Sequence, residues 1–490
     1  MRCGPCSCSA SRASAVSPRN SGRRWAGRRD ARLLGYNRRS PFPGESPVDT
    51  SLFPLELARD AAAHAVDAAR ALGATAAVAI SAGEGLSVTL RNGELETIEH
   101  HRDKSLAITV YRGGSKGSAS STDFGADAIA ATVAAADAIA RHAEADPYAG
   151  LIAPEYLARD VPDLDLDHPW DLDVAAATAL AKRADAAAAA ADPRIAQVDD
   201  TSVSRYRGYR VYANSDGFLG AYTGTRHGLS CTAVASADGA MQRGYWYTAA
   251  RDATQLEAPE TVGATAAART VAKLGARKLK TCTAPVLFES RIAGGLVGHL
   301  LAAASGHNLY REASFLRGRL GQAVMPAFVT IREEPHLAAA LGSAPFDGEG
   351  VATRDCDIVA AGVLNTYLLD GYSARRLKME PTGHSGGTHN LTVSDQGDDF
   401  EAMLKKLDCG LLVTELMGFG INLVTGDYSR GASGFWVENG ALQYPVEEIT
   451  IAGTLQSMYL GIVATGADLD LRGSTRSGSI LIDAMTIAGD

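Results

Sequence analysis

Nowhere in the 490 residues is there an uninterrupted apolar run of about 18, the length a helix needs to cross a bilayer, so no membrane-spanning helix is expected. Aromatic residues are scarce at 6%. Of the seven cysteines, Cys3, Cys6 and Cys8 crowd the N-terminus, while Cys231, Cys282, Cys356 and Cys409 stand singly. An odd count without regular spacing excludes a disulfide framework and fits a reducing, cytoplasmic setting. The C-x-x-C-x-C of the first eight residues has no nearby histidine to complete a metal site. No H-E-x-x-H pair occurs, and the Gly113–Gly117 turn with Lys116 matches neither a P-loop nor a dinucleotide fingerprint. No internal repeat is evident.

What is present is a chain 46% hydrophobic and 21% charged, long enough for two or three domains. Its formal charge is uneven. Residues 1–40 carry ten arginines against Asp30, a balance of +9, so the net −9 leaves −18 on the other 450. A body that acidic repels phosphate backbones, and no nucleic-acid partner is expected of it. The Arg- and Ser-rich segment 1–50 has the composition of a transit segment, and equally of text translated from GC-rich DNA upstream of the true start. It is expected to be a disordered extension.

The expected fold class is α+β: helix-covered antiparallel sheet regions followed by a Gly-rich, curved or barrel-like β C-terminal domain. Residues 51–150 read as a first α+β region. A helix runs from Pro54 to Gly73, then come strands at 77–80, 86–90, 95–99 and 106–111, then a helix at 126–143. Asn92-Gly93 supplies a type I′ hairpin turn. Residues 151–275 read as a middle hairpin region, entered through a Pro/Asp-rich linker at 147–170 and closed by a helix at 260–274. Residues 276–490 open with a strand at 285–288 and a helix at 292–304. Short strands and Gly-punctuated loops follow, with glycine relieving crowding at bulges and corners.

Gly383-His384-Ser385-Gly386-Gly387 satisfies G-x-S-x-G, but Pro381 precedes it and no helical pattern follows, so the strand–turn–helix of a nucleophile elbow is missing. His384, His389 and His299 would be enough imidazoles for an open zinc site, yet none is paired at helical spacing, and a lone histidine is more often structural than a ligand.

Longer runs carry more. They are Val413–Gly418, Val424–Gly431, Gly434–Gly440, Tyr444–Gly453, Ser343–Val351, Tyr372–Leu377 and Thr382–Gly387. In order and spacing these segments resemble the PmbA/TldE branch of the TldD/PmbA metallopeptidases, from about residue 52 to the end. The resemblance implies a heterodimeric, cytoplasmic zinc peptidase acting on peptides and unfolded proteins. In the TldD branch a helical H-E-x-x-x-H and a C-terminal cysteine hold the zinc. Here the corresponding positions are Gly294, Gly295 and His299, with Ser477 in place of the cysteine. The resemblance therefore implies that this chain has no catalytic residue and no metal of its own, the zinc being expected in a TldD-like partner subunit. It implies a share in the substrate chamber, for which His384, His389, Glu415, Asp427, Ser429 and Arg430 are the candidates. Asp427 and Arg430 also allow a simple ion pair fixing a loop, and Glu415, in an apolar run, is expected to find a partner. Two alternatives stay open: an active metallopeptidase built on His299, His384 and His389 with Glu415 or Asp427, and a structural or chaperone-like homodimer.

Overall fold

The structure, a computed structural model, describes residues 53–489. The expectations for residues 1–50 lie outside the described residues. Helix α1 (Leu55–Ala71) buries Ala58, Ala61, Ala62, Ala65, Val66 and Ala69, the three-to-four spacing of one face. With α2 (Ala126–His142) it covers half of a six-stranded antiparallel sheet, ordered β3-β2-β1-β4-β5-β6. The strands are β1 (Thr75–Arg91), β2 (Glu94–Arg112), β3 (Ser115–Ser121), β4 (Ile195–Asn214), β5 (Leu219–Ala237) and β6 (Ala240–Ala250). Helices α3 (Val174–Ala191) and α4 (Pro259–Val271) pack on the other half through Leu86, Val88 and Leu90 of β1. Because Val78, Ile80, Leu86 and Val88 are all even-numbered, all four helices lie on one face of the sheet. Ala77 and Ala79 belong to the opposite face.

The hairpin turns are as expected: Asn92 and Gly93 both have positive φ, 50° and 77°. The strands beside them are longer than expected, since 77–80 and 86–90 are one strand, as are 95–99 and 106–111. Gly83 interrupts the alternation of β1 for a reason of space, because a Cβ there would collide with the Tyr206 ring lying over the strand. The sheet is continuous across the expected boundary at residue 150. The 147–170 segment is pinned down: Ala158 N–H donates to the Gly350 carbonyl at 2.9 Å, and Ala352 N–H to the Tyr156 carbonyl at 3.1 Å.

Beyond residue 281, β7 (Cys282–Phe288), β12 (Gly410–Met417), β13 (Asp427–Glu438), β14 (Ala441–Thr454) and β17 (Ile480–Ala488) form a sheet that closes when β14 pairs back onto β17. The result is a five-stranded barrel, with β15 (Ile462–Thr465) added on β17. Gly434 sits at a bulge in β13 where a side chain would strike the Leu412 carbonyl of β12. Neighbours on β7 part company: Val286 and Phe288 join the main core with Ala293, Leu296 and Leu300 of α5 (Ser290–Ala304). Leu287 joins a smaller cluster with α8 (Phe400–Leu407).

A second sheet of very short strands is ordered β10-β9-β8-β11-β16: β8 (Ile331–Glu333), β9 (Cys356–Ala360), β10 (Val363–Leu364), β11 (Leu391–Val393) and β16 (Thr475–Arg476). Three further helices, α6 (Gly306–Tyr310), α7 (Gly371–Leu377) and α9 (Leu455–Leu460), fall where strands and loops were expected. At seven residues or fewer they are too short to show a helical period.

Candidate functional site

Strand β8 ends on Glu333, which faces Cys356 of β9 on one side and Leu391 of β11 on the other. Its side chain is 1% exposed. A carboxylate so deep must be satisfied by neighbours, and here the neighbours are the two histidines of the 382–390 loop. His384 Nε2 lies 2.6 Å from Oε2, and Oε1 accepts from the His389 backbone N–H at 2.6 Å and from its Nδ1 at 2.9 Å. On the far side of the ring, His384 Nδ1 meets Thr382 Oγ1 at 2.8 Å, and the Leu369 N–H donates to that oxygen at 2.7 Å. Burial works against the charge on Glu333, but hydrogen bonds from His384 and His389 outweigh it and hold the carboxyl down at about 2.

Cys356 Sγ is 3.5 Å from Glu333 Oε2, and burial, reinforced by that carboxylate, pushes its thiol up to about 12. Among the described residues, Glu333, Cys356 and His384 are the group of metal-type donors gathered within 4.8 Å. The arrangement does not fit zinc. Bonds of 2.0–2.1 Å in a tetrahedron set donors roughly 3.3 Å apart, whereas His384 Nε2 and Glu333 Oε2 are only 2.6 Å apart, sharing a hydrogen bond. The cluster is a buried hydrogen-bonded knot tying the short strands to the loop. His384 thus commits both ring nitrogens, and His389 its Nδ1, to neighbours in the fold, while His384 also borders a hollow with Ser305, His307 and Thr388. Neither Glu333 nor Cys356 was singled out from sequence.

Ser385 is likewise held by its backbone: its N–H donates to Asp347 Oδ2 at 2.9 Å, and its carbonyl accepts from Gly348 at 2.7 Å. No helix follows it, so there is no nucleophile elbow.

Helix α5 carries the other candidates. A Cβ at Gly294 would stand 3.4 Å from the Thr475 methyl, and one at Gly295 or Gly298 would meet nothing within 4 Å. Thr475 is two residues from Ser477, which is 1% exposed and donates its hydroxyl to the Gly478 carbonyl at 2.9 Å. Gly294 therefore faces β16 just ahead of Ser477, and glycine and a committed hydroxyl occupy the positions. His299 meets Tyr428 edge-on, with ring centroids 5.9 Å apart. Burial and then Arg430 lower its pKa, so the ring stays neutral at neutral pH. No described cluster of metal donors includes His299 together with His384 and His389.

Asp427, Ser429 and Arg430 are not one cluster. They lie on β13, where Asp427 and Ser429 face outward and are exposed, while Tyr428 is buried and Arg430 is half-buried on the opposite face beside His299. The expected Asp427–Arg430 ion pair is therefore absent, and Asp427 takes the Thr425 hydroxyl at 2.6 Å. Glu415 does find a partner, in an ion pair with Lys273.

Against known families, residues 76–140, 167–274 and 281–489 match domain 1, the central domain and the C-terminal domain of the PmbA/TldA metallopeptidases. Metalloprotease PmbA of Escherichia coli O157:H7 is 48% identical over 434 residues, 89% of this chain and 96% of that protein. The chain belongs to the PmbA/TldD metallopeptidase family. A PmbA/TldD-like fold recurs in a solved structure from Bacteroides thetaiotaomicron VPI-5482, described as a proposed modulator of DNA gyrase. It is 27% identical with a TM-score of 0.84, over 88% of this chain and 99% of that one. TldE from Thermococcus kodakarensis, 18% identical with a TM-score of 0.78 over 88% and 100% of the two chains, shares the fold.

Proposed function

We propose that this chain is the non-catalytic subunit of a two-chain zinc peptidase of the cytoplasm. A TldD-like partner carries the metal, and this chain completes the chamber and holds extended peptides or unfolded proteins. The observation that carries the reading is the face of α5: Gly294 and Gly295 present no donor, and Ser477, two residues beyond the Thr475 that faces Gly294, is a hydroxyl turned to a backbone carbonyl. A hydrolytic zinc needs about three protein ligands and an open position for water. His299 alone, packed on Tyr428, supplies at most one. With no fitting metal site in the described residues, no hydrolytic step is assigned to them. Asp427 and Ser429, exposed on β13, are the residues best disposed to touch a substrate, whereas His384 and His389 serve the fold.

The test is metal content and peptide cleavage, measured for this chain purified alone and for the chain co-purified with the TldD-like protein of its own organism. The expected result is no stoichiometric zinc and no cleavage alone, and both in the mixed complex. Cleavage by the isolated, zinc-loaded chain overturns the reading. A mass corresponding only to a homodimer after co-expression overturns the pairing.

A further inference from the structure

On the face of the large sheet away from its helices, small side chains leave a hollow. Ala77 and Ala79 of β1 lie beside Thr109 and Ala107 of β2 in the ladder, so the floor is shallow-chained and apolar. Tyr111 and Tyr212 wall it on the two flanking strands, and Gly150, Leu151 and Ile152 line one side. The roof comes from the other half of the molecule, the 348–349 stretch carrying Glu349. The hollow, half open to solvent, has a volume of about 190 Å³.

Glu349 is unlike the other buried acids of the region. Asp347 is consumed by three backbone N–H groups, those of Ser385, Glu349 and Val351. Glu349 accepts one hydrogen bond, from Gly371 N–H to Oε2 at 2.7 Å, and no described cation lies within ion-pair distance of it. Arg375 on α7 is near, but its guanidinium is committed to the carbonyls of Tyr148, Gly150 and Leu151. The charged and titratable groups around Glu349 are therefore Asp347 on its own loop, Asp370 and Arg375 on α7, and the two tyrosines of the sheet. Arg375 favours the charged carboxyl through space but forms no direct ion pair with it, and the acids Asp347 and Asp370 oppose it.

We propose that this hollow binds a primary ammonium on a short aliphatic stem, with Glu349 as its counter-charge, the alanines against the methylenes and the tyrosines beside the cation. An ammonium is the complement of a carboxylate that has one free oxygen in a half-buried setting. Aromatic walls favour the same charge. Burial, then the neighbouring acids Asp347 and Asp370, raise the Glu349 carboxyl to about 7, so the empty site spends much of its time neutral near physiological pH. Binding an ammonium must expel that proton, which gives the site a signature that an adventitious surface contact lacks. The inference is independent of the subunit role proposed above, because it concerns an acid far in sequence from α5 and is read without any partner.

The experiment is calorimetric titration of the full chain with three probes: n-butylammonium, N-acetyl-lysine methylamide and N-acetyl-norleucine methylamide. The expected result is binding of one or both cations and not of the uncharged norleucine compound, with a fraction of a proton released per cation at pH 6.5, seen as a buffer-dependent heat, and none at pH 9. Affinity should rise as pH passes through about 7. Glu349→Gln, whose amide oxygen can still accept from Gly371, should weaken binding at least tenfold and abolish the proton release. Ala79→Leu should block the hollow from the opposite wall while leaving Glu349 untouched. Preference for the free amine or for the lysine derivative distinguishes a small amine from a peptide side chain as the source. Undetectable binding of both cations, equal binding of the norleucine compound, or binding by Glu349→Gln within twofold of the original chain would each overturn the proposal.

Discussion

The charge on Glu333 is kept by the hydrogen atoms aimed at it. Breaking a buried pair of this kind leaves an uncompensated group and costs more than the pair contributes relative to an apolar substitute. Its folded-state pKa of about 2 is below the ordinary glutamate value of 4.5, so its contribution to stability is complete above about pH 4.5 and is lost as pH falls toward 2. The difference in pKa corresponds to ~3 kcal/mol at neutral pH. Glu333→Gln should therefore lower the urea unfolding free energy by about that amount at pH 7, and the gap to the original chain should close between pH 4.5 and 2. A gap that stays constant with pH would mean that shape, not charge, is what Glu333 provides. The clustering of these side chains could not be seen in the sequence. Glu333 lies 23 residues from Cys356 and 51 from His384, on strands two to five residues long whose pairing is decided by the rest of the chain. The histidines were visible as candidates, but the acid that turns them inward carries no local pattern.

Elements were legible where local physics alone dictates them. The alanine-rich helices repeat at three to four residues, and the hairpin at Asn92-Gly93 needs positive φ at both central positions. Barrel closure was only hinted at by glycine content, because the pairing of Thr450 with Ala488 that closes it is non-local. The glycines themselves divide into two kinds with opposite consequences. Gly434 is fixed by a backbone neighbour that cannot give way, so Gly434→Ala should force β12 and β13 apart and cost at least ~2 kcal/mol. Gly295 lies within α5 with open space around its Cβ position, and glycine there weakens the helix. Gly295→Ala should stabilise the isolated chain by about 0.5–1 kcal/mol. A larger residue, Gly295→Leu, should leave the isolated chain folded but slow peptide cleavage by the mixed complex, if the open face of α5 lines the chamber. Thermal unfolding of the single chain and turnover by the pair separate the two effects.

Across the whole molecule, the large sheet and the barrel half are joined by two ion pairs, Arg269–Glu289 and Lys273–Glu415, and by arginines that donate to backbone carbonyls. Arg251 of the first half reaches the carbonyls of Ala340 and Leu341, and Arg472 of the second reaches that of Tyr247 while stacking 4.1 Å over Trp246. Arg375 makes the densest of these ties, with three carbonyls of the 148–151 segment at 2.7–3.1 Å. A carbonyl does not titrate, and dipoles are screened by salt far less than exposed ion pairs are, so the arginine–carbonyl part of the join should hold at high ionic strength and across a broad pH range. It should fail when the fork is lost. Lysine keeps the charge but presents one compact ammonium that cannot span three oxygens. Arg375→Lys should therefore cost about 2–3 kcal/mol and hasten limited proteolysis within residues 146–152, with no comparable change when the original chain is moved into 1 M salt. The same segment supplies one wall of the Glu349 hollow, so Arg375→Lys should also weaken ammonium binding there without altering the residues that contact the cation. Proteolysis and binding that respond together would show that the join between the two halves holds the hollow in shape; binding unchanged in a chain that is cut faster would show that the hollow is formed by the sheet and Glu349 alone.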